Sequence, residues 1–244
     1  MKYFVFLCLI SYCVARKLPN YIEACKPKET DISECIKQRV EELREKLNDG
    51  IPEMRIPSIN PLEIPFAQMD LGEKSKASMK DIKLYGLPAF IIKDLKIDLD
   101  KDYIEIKVDI PHILAEGEYT VKGKLLILTL DGSGPGQINI TNLEVSLIGH
   151  GERQIRHGKT FFKIKATDVT TKIGKVNLNF HNLFKDNPEL TENANKILNE
   201  NQEVLVESFA PVVVEVVKGF ILGATGGVFD RYELPELFPG IKIE

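Results

Sequence analysis

Hydrophobic and polar positions change period along the chain, and each change marks a different kind of element. Between residues 31 and 49, Ile36, Val40, Leu43 and Leu47 recur at three- and four-residue steps among charged residues, which predicts an amphipathic helix. Asp31 is placed to cap it, Glu34 completes a capping-box-like pair, and Gly50 and Pro52 stop it. The stretch IPEMRIPSINPLEIP then carries Pro52, Pro57, Pro61 and Pro65, which predicts an extended strip laid along an apolar surface. From about residue 68 to 181 the period is two. KDIKLYGL, FIIKDLKIDLD, YIEIKVDI, EYTVKGKLLILTL, QINITNLEVSLIG, KTFFKIKATDVTTKI and KVNLNFHN alternate or nearly so. Leu99–Asp102, Asp131–Gly136 and Gly149–Gly151 supply turn chemistry between them.

At Asn187-Pro188 the period becomes helical again, with asparagine as cap and proline in the first turn. Leu190, Ala194, Ile197, Leu198, Leu205, Phe209, Val212, Val213, Val216, Val217 and Phe220 fit one helix of roughly 34 residues, about 50 Å long. Pro211 should kink it, and the glycines from Gly223 to Gly227 read as its C-terminal cap. The second half is apolar nearly all round, so it must be covered. The tail after Gly226 reads as a short extended piece. These elements predict an α+β protein: a long, highly curved antiparallel β-sheet wrapped around one long C-terminal α-helix, with a short N-terminal helix. A straight rod against a curved sheet leaves room for a continuous apolar tunnel; a solid core is the alternative.

The first residues, MKYFVFLCLISYCVARKLP, have a short positive start, an apolar run and small residues before a cut after Ala15. Residues 1–15 therefore read as a secretory signal peptide and 16–244 as one domain. Cys8 and Cys13 leave with the peptide. Cys25 and Cys35 remain, and an even pair in an oxidising compartment predicts a disulfide. Two cysteines cannot complete a zinc site. A net charge of −4 argues against a nucleic-acid partner, and the chain has no later segment suited to stable membrane insertion.

The stretch CKPKETDISECIKQRVEELREKLNDGIPEMRIPSINPLEIP resembles the opening of the takeout family, relatives of the insect juvenile hormone-binding proteins. LYGLPAF (84–90), EYTVKGKLLILTLDGSGPGQINITNLEVSL (118–147) and HNLFKDNPEL…ILNEN (181–201) are similar to later family segments, in the same order. The resemblance implies the tubular lipid-binding fold. It also implies a secreted insect carrier of a hydrophobic small molecule, with roles in hormone or chemosensory transport, feeding or circadian output, in haemolymph or chemosensory fluid. Two departures favour a takeout-like protein over a true hormone carrier. Gln202 stands where the family often has an aromatic residue, and the chain has no cysteines for the hormone carriers' second disulfide.

Catalytic chemistry is not legible. Ser133 lies outside any G-x-S-x-G elbow, and His112, His150, His157 and His181 have no metal-ligand spacing. No cofactor and no enzyme activity are expected. Candidate ligand-lining residues are Leu84, Phe90, Ile92, Tyr119, Val121, Phe162, Phe180, Leu205, Phe209, Val213 and Phe220, with Tyr119 as the polar contact. Asn139-Ile140-Thr141 is a glycosylation sequon whose asparagine should face outward. The alternative function is a secreted interaction protein acting through a cell-surface receptor.

Overall fold

The computed structural model describes residues 17–242 apart from 73, 74, 126 and 186, so the signal peptide expected over residues 1–15 lies outside the described residues. The antiparallel sheet comprises β1 (Leu62–Gly72), β2 (Ser75–Tyr85), β3 (Ile91–Asp98), β4 (Tyr103–Leu125), β5 (Leu128–Arg156) and β6 (Lys159–Phe180). Their order is β1-β2-β4-β5-β6, and β3 pairs with the first half of β4 beside β2. A strand such as β5, with 29 residues, would measure about 95 Å if straight. It coils instead, and the sheet curls with it.

The glycine-rich segments fall inside β5 rather than in turns, which corrects the sequence expectation for Asp131–Gly136 and Gly149–Gly151. Their glycines are there for close approach. A Cβ on Gly132 would lie 2.5 Å from the Asn182 carbonyl oxygen and 2.6 Å from that of Leu183, and one on Gly151 would enter the Phe162 ring. The pairing of β5 with β6 shifts between His150 and Gly151. The turn joining those strands is instead at His157-Gly158, where both residues have positive φ. Leu99–Asp102 is a turn as expected.

A crease crosses the three long strands. Ile110 pairs with Leu143, and Leu143 with Ile173; two residues on, His112 pairs with Thr141 and Thr141 with Lys175. Yet Ile113, Ile140 and Val176 are buried, as are Leu143 and Ile173. Buried positions three apart break the period of two, so the side-chain alternation reverses there. Pro111, Asn142 (φ 54°) and Gly174 occupy the break. Proline has no N–H for the ladder, and asparagine tolerates the left-handed region.

The N-terminal helix is split at Leu43 into α1 (Ile32–Glu42) and α2 (Arg44–Asp49), and Asp31 Oδ1 accepts the Glu34 N–H at 3.0 Å, as the cap predicts. The proline strip is only partly extended: Pro52–Met54 forms a 3-10 turn, and Pro65 lies in the edge strand β1, where its missing N–H disturbs no partner. The long C-terminal helix is two helices, α3 (Pro188–Glu200) and α4 (Gln202–Phe229). The break falls at Asn201 and not at Pro211, which lies exposed within α4. Helix α4 also runs through Gly223–Gly227, and Gly227 abuts the backbone of Met54 and Arg55. After it the chain makes a short helix, α5 (Leu234–Leu237), in place of the expected extended tail.

Beyond the main core, Cys25, Leu234 and Phe238 are buried together with Ile32, Cys35 and Phe229 around them. The disulfide Cys25–Cys35 spans ten positions and ties the N-terminal arm to α1 beside this cluster. Replacing both cysteines by serine should lower the unfolding free energy by about 2–3 kcal/mol, read from the urea midpoint.

Candidate functional site

Helix α4 straddles the sheet, its backbone lying close to β6 and, less extensively, to β1. Pro211, Glu215 and Leu222 are exposed and mark its solvent side. At 100° per residue, Phe209, Val213, Val217, Phe220 and Ala224 lie about 140–180° away and face the sheet. None of these inward side chains is buried. Opposite, on one side of β4, Ile104, Ile106, Val108 and Ile110 are also only half-buried, whereas their β5 partners Leu143, Val145 and Leu147 are covered. The half of the interior on the Tyr103 side of the crease therefore keeps accessible apolar surface between helix and sheet.

The other half is filled. Ile113, Tyr119, Val121, Leu130, Ile140, Val176, Leu178, Leu183, Leu198 and Leu205 are all buried there. The expected lining residues divide accordingly. Tyr119, Val121 and Leu205 are buried in the filled half, and Leu84 and Phe180 pack against it. Ile92, paired with Val108, and Phe209, Val213 and Phe220 belong to the accessible half. Phe162 meets Phe229 edge-on at 5.0 Å in the cluster beside the disulfide. Phe90 stands apart, stacked under the Arg44 guanidinium at 3.9 Å, while Arg44 also donates to the Pro88 carbonyl. The residues that sequence reasoning missed are Ile104 to Ile110. Their alternation was visible, but not that they would remain uncovered.

Tyr119 is not a free polar contact. Its hydroxyl donates to the His181 carbonyl at 2.5 Å, and its ring lies 4.4 Å from that of Phe180. Burial pushes the phenol up to about 12. An unfolded tyrosine ionises near 10, so between about pH 10 and 12 the unfolded state releases a proton that the folded state keeps, and stability falls as pH rises. An ultraviolet titration should show a late-ionising tyrosine component near pH 12, and Tyr119→Phe should reduce it together with that part of the alkaline loss of stability.

Polar chemistry elsewhere is structural. Side chains on the sheet-facing side of α3 and at the start of α4 bind the free edge of β6. Asn195 Oδ1 accepts the Phe180 N–H and its Nδ2 donates to the Phe180 carbonyl. Asn199 does the same with Leu178, and Gln202 with Val176. A cleft of about 460 Å³ lies beside this seam, lined by His181, Asn182, Asn187 and Thr191 among others. Three of its groups are already engaged: Asn182 donates to the Ser133 carbonyl, Asn187 caps α3, and Thr191 accepts the Phe184 N–H. Asn139 lies half-buried on β5, its Oδ1 3.1 Å from His112 Nε2. Among the described residues no group of three or more His, Cys, Asp or Glu is arranged to hold a metal ion, and no helix is long and apolar enough to cross a membrane.

A curled antiparallel half-barrel straddled by a long apolar helix, with short N-terminal helices beside it, defines the architecture. The chain belongs to the haemolymph juvenile hormone binding protein family, whose model matches residues 3–239. It is 28% identical over 208 residues to the circadian clock-controlled protein daywake of Drosophila yakuba, covering 81% of this chain and 79% of that one. It is 23% identical over 222 residues to a putative beta-carotene-binding protein of Schistocerca gregaria, covering 90% and 88%. The crystal structure of Epiphyas postvittana Takeout 1 superposes with a TM-score of 0.77 at 24% identity, covering 89% of this chain and all of that one, and shares the fold.

Proposed function

We propose that this protein is a secreted carrier that binds a small hydrophobic molecule between α4 and the sheet, in the half of the interior on the Tyr103 side of the crease. The observation that carries the reading is the set of inward-facing apolar side chains only partly covered there: Ile104, Ile106, Val108 and Ile110 on β4, and Phe209, Val213 and Phe220 on α4. Uncovered apolar surface in an interior is unfavourable at about 25 cal/mol per Å², and a guest that covers it recovers that free energy. The beta-carotene-binding name of the Schistocerca relative is consistent with such a guest. Asn139 is proposed as an acceptor for N-linked glycan on the outer surface.

Native mass spectrometry of the secreted protein, followed by organic extraction, tests the proposal. A bound hydrophobe released in stoichiometric amount supports it. An empty protein that also takes up no hydrophobic probe moves the reading to a receptor-facing interaction protein. Val213→Trp places a large ring in the same space and should weaken probe binding at least about tenfold, a loss of about 1.4 kcal/mol, while leaving the disulfide-bonded end intact.

A further inference from the structure

In the half of the interior on the Tyr103 side of the crease, the inward positions of the long strands are Ile104, Ile106, Val108 and Ile110 on β4, Leu143 to Gly149 at alternate residues on β5, and Val169, Thr171 and Ile173 on β6. Thr171 is the polar side chain among these described positions. Its Cα pairs with that of Val145, and its neighbours on the same side, Val169 and Ile173, are buried. Its Oγ1 is sealed from solvent and has no hydrogen-bond partner. Thr171 as a whole is nonetheless only half-buried. A buried hydroxyl without a partner is unfavourable, and an isosteric valine would avoid the cost. Rotation about χ1 between staggered wells moves Oγ1 out of its sealed position. A hydroxyl both donates and accepts, so it can meet a ligand alcohol, ketone or ester equally.

The same inward positions, and Phe209, Val213, Val217, Phe220 and Ala224 across from them, include no lysine, arginine or histidine. A carboxylate taken into that space would lose its hydration with no cation to replace it. We propose that Thr171 is the polar docking point of this interior and that its guest is an uncharged long-chain molecule with one hydrogen-bonding group, in preference to a free fatty acid. The inference rests on the carrier reading above and adds the class of guest and the residue that selects it.

The test is displacement of the fluorescent apolar probe N-phenyl-1-naphthylamine by hexadecanol and by palmitate at neutral pH, on the full secreted chain. Wild type should favour hexadecanol over palmitate by about tenfold or more. Thr171→Val should weaken hexadecanol by about five- to tenfold, the size of one lost hydrogen bond, with probe affinity unchanged and Thr171→Ser restoring it. Palmitate binding as tightly as hexadecanol, or Thr171→Val leaving hexadecanol affinity intact while the probe still binds, overturns this inference and leaves the carrier reading standing. Failure of wild type to bind the probe or either displacer overturns both. The wild-type comparison needs no variant, so it stands even if Thr171→Val does not fold.

Discussion

Asn199→Leu is expected to lower the unfolding free energy by about 2–4 kcal/mol. Asn199 Oδ1 accepts the Leu178 N–H at 2.7 Å, and its Nδ2 donates to the Leu178 carbonyl at 2.8 Å. Leu178 is buried, and leucine at 199 leaves both backbone groups of that residue unpaired under a side chain that excludes water. Each orphaned buried group costs about 1–3 kcal/mol, partly offset by the added apolar contact. Asn193→Leu is the control, because Asn193 is exposed on the same helix and should change stability by no more than about 0.5 kcal/mol. Equal urea midpoints for the two variants would show that the amide ladder contributes nothing.

Gly132→Val is expected to cost more than about 3 kcal/mol, or to prevent folding. The new Cβ would meet Asn182 and Leu183 at 2.5–2.7 Å, and every one of those atoms is backbone. No rotamer change relieves the overlap. The β6–α3 connection must move, and with it Leu183, which is fully buried. Overpacking of this kind typically costs about 1–3 kcal/mol when side chains can adjust, and more when they cannot. Ser133→Val, one position away and exposed, changes an outward side chain to one that favours strands and should be close to neutral. Thermal melts of the pair separate the two cases; a Gly132→Val protein as stable as the Ser133 variant would contradict the packing described here.

What the sequence made visible, and what it hid, follows from range. Period two from residue 68 onward and the 3.6 period after Asn187 are local patterns, and both gave the right kind of element. The glycines at 132, 134 and 136 misled because their role is set by a segment fifty residues later: the same residues that favour turns also favour close backbone approach. The break at Asn201 was hidden for a similar reason. Asn195, Asn199 and Gln202 recur at four- and three-residue steps across the junction of α3 and α4, a visible spacing, but it acquires meaning only beside an unpaired strand edge. Gln202, which looked like a departure from a family pattern, turns out to hold Val176. In the interior, apolar identity marked which residues turn inward but not which would be covered. Phe90 went to an arginine and Tyr119 to a backbone carbonyl, whereas Thr171 passed unnoticed in a run of ordinary strand residues.

The crease at Pro111, Asn142 and Gly174 divides the inside of one continuous sheet into a packed compartment and a less completely covered one. From Phe209 to Ala224 the helix runs about 22 Å at 1.5 Å per residue. On the carrier reading this makes the molecule a ruler. A guest lying along the helix from Ala224 reaches a wall built of Leu205, Ile140 and Val176 after that length, so how long a chain can be is fixed by a bend in the backbone and not by the groups that touch it.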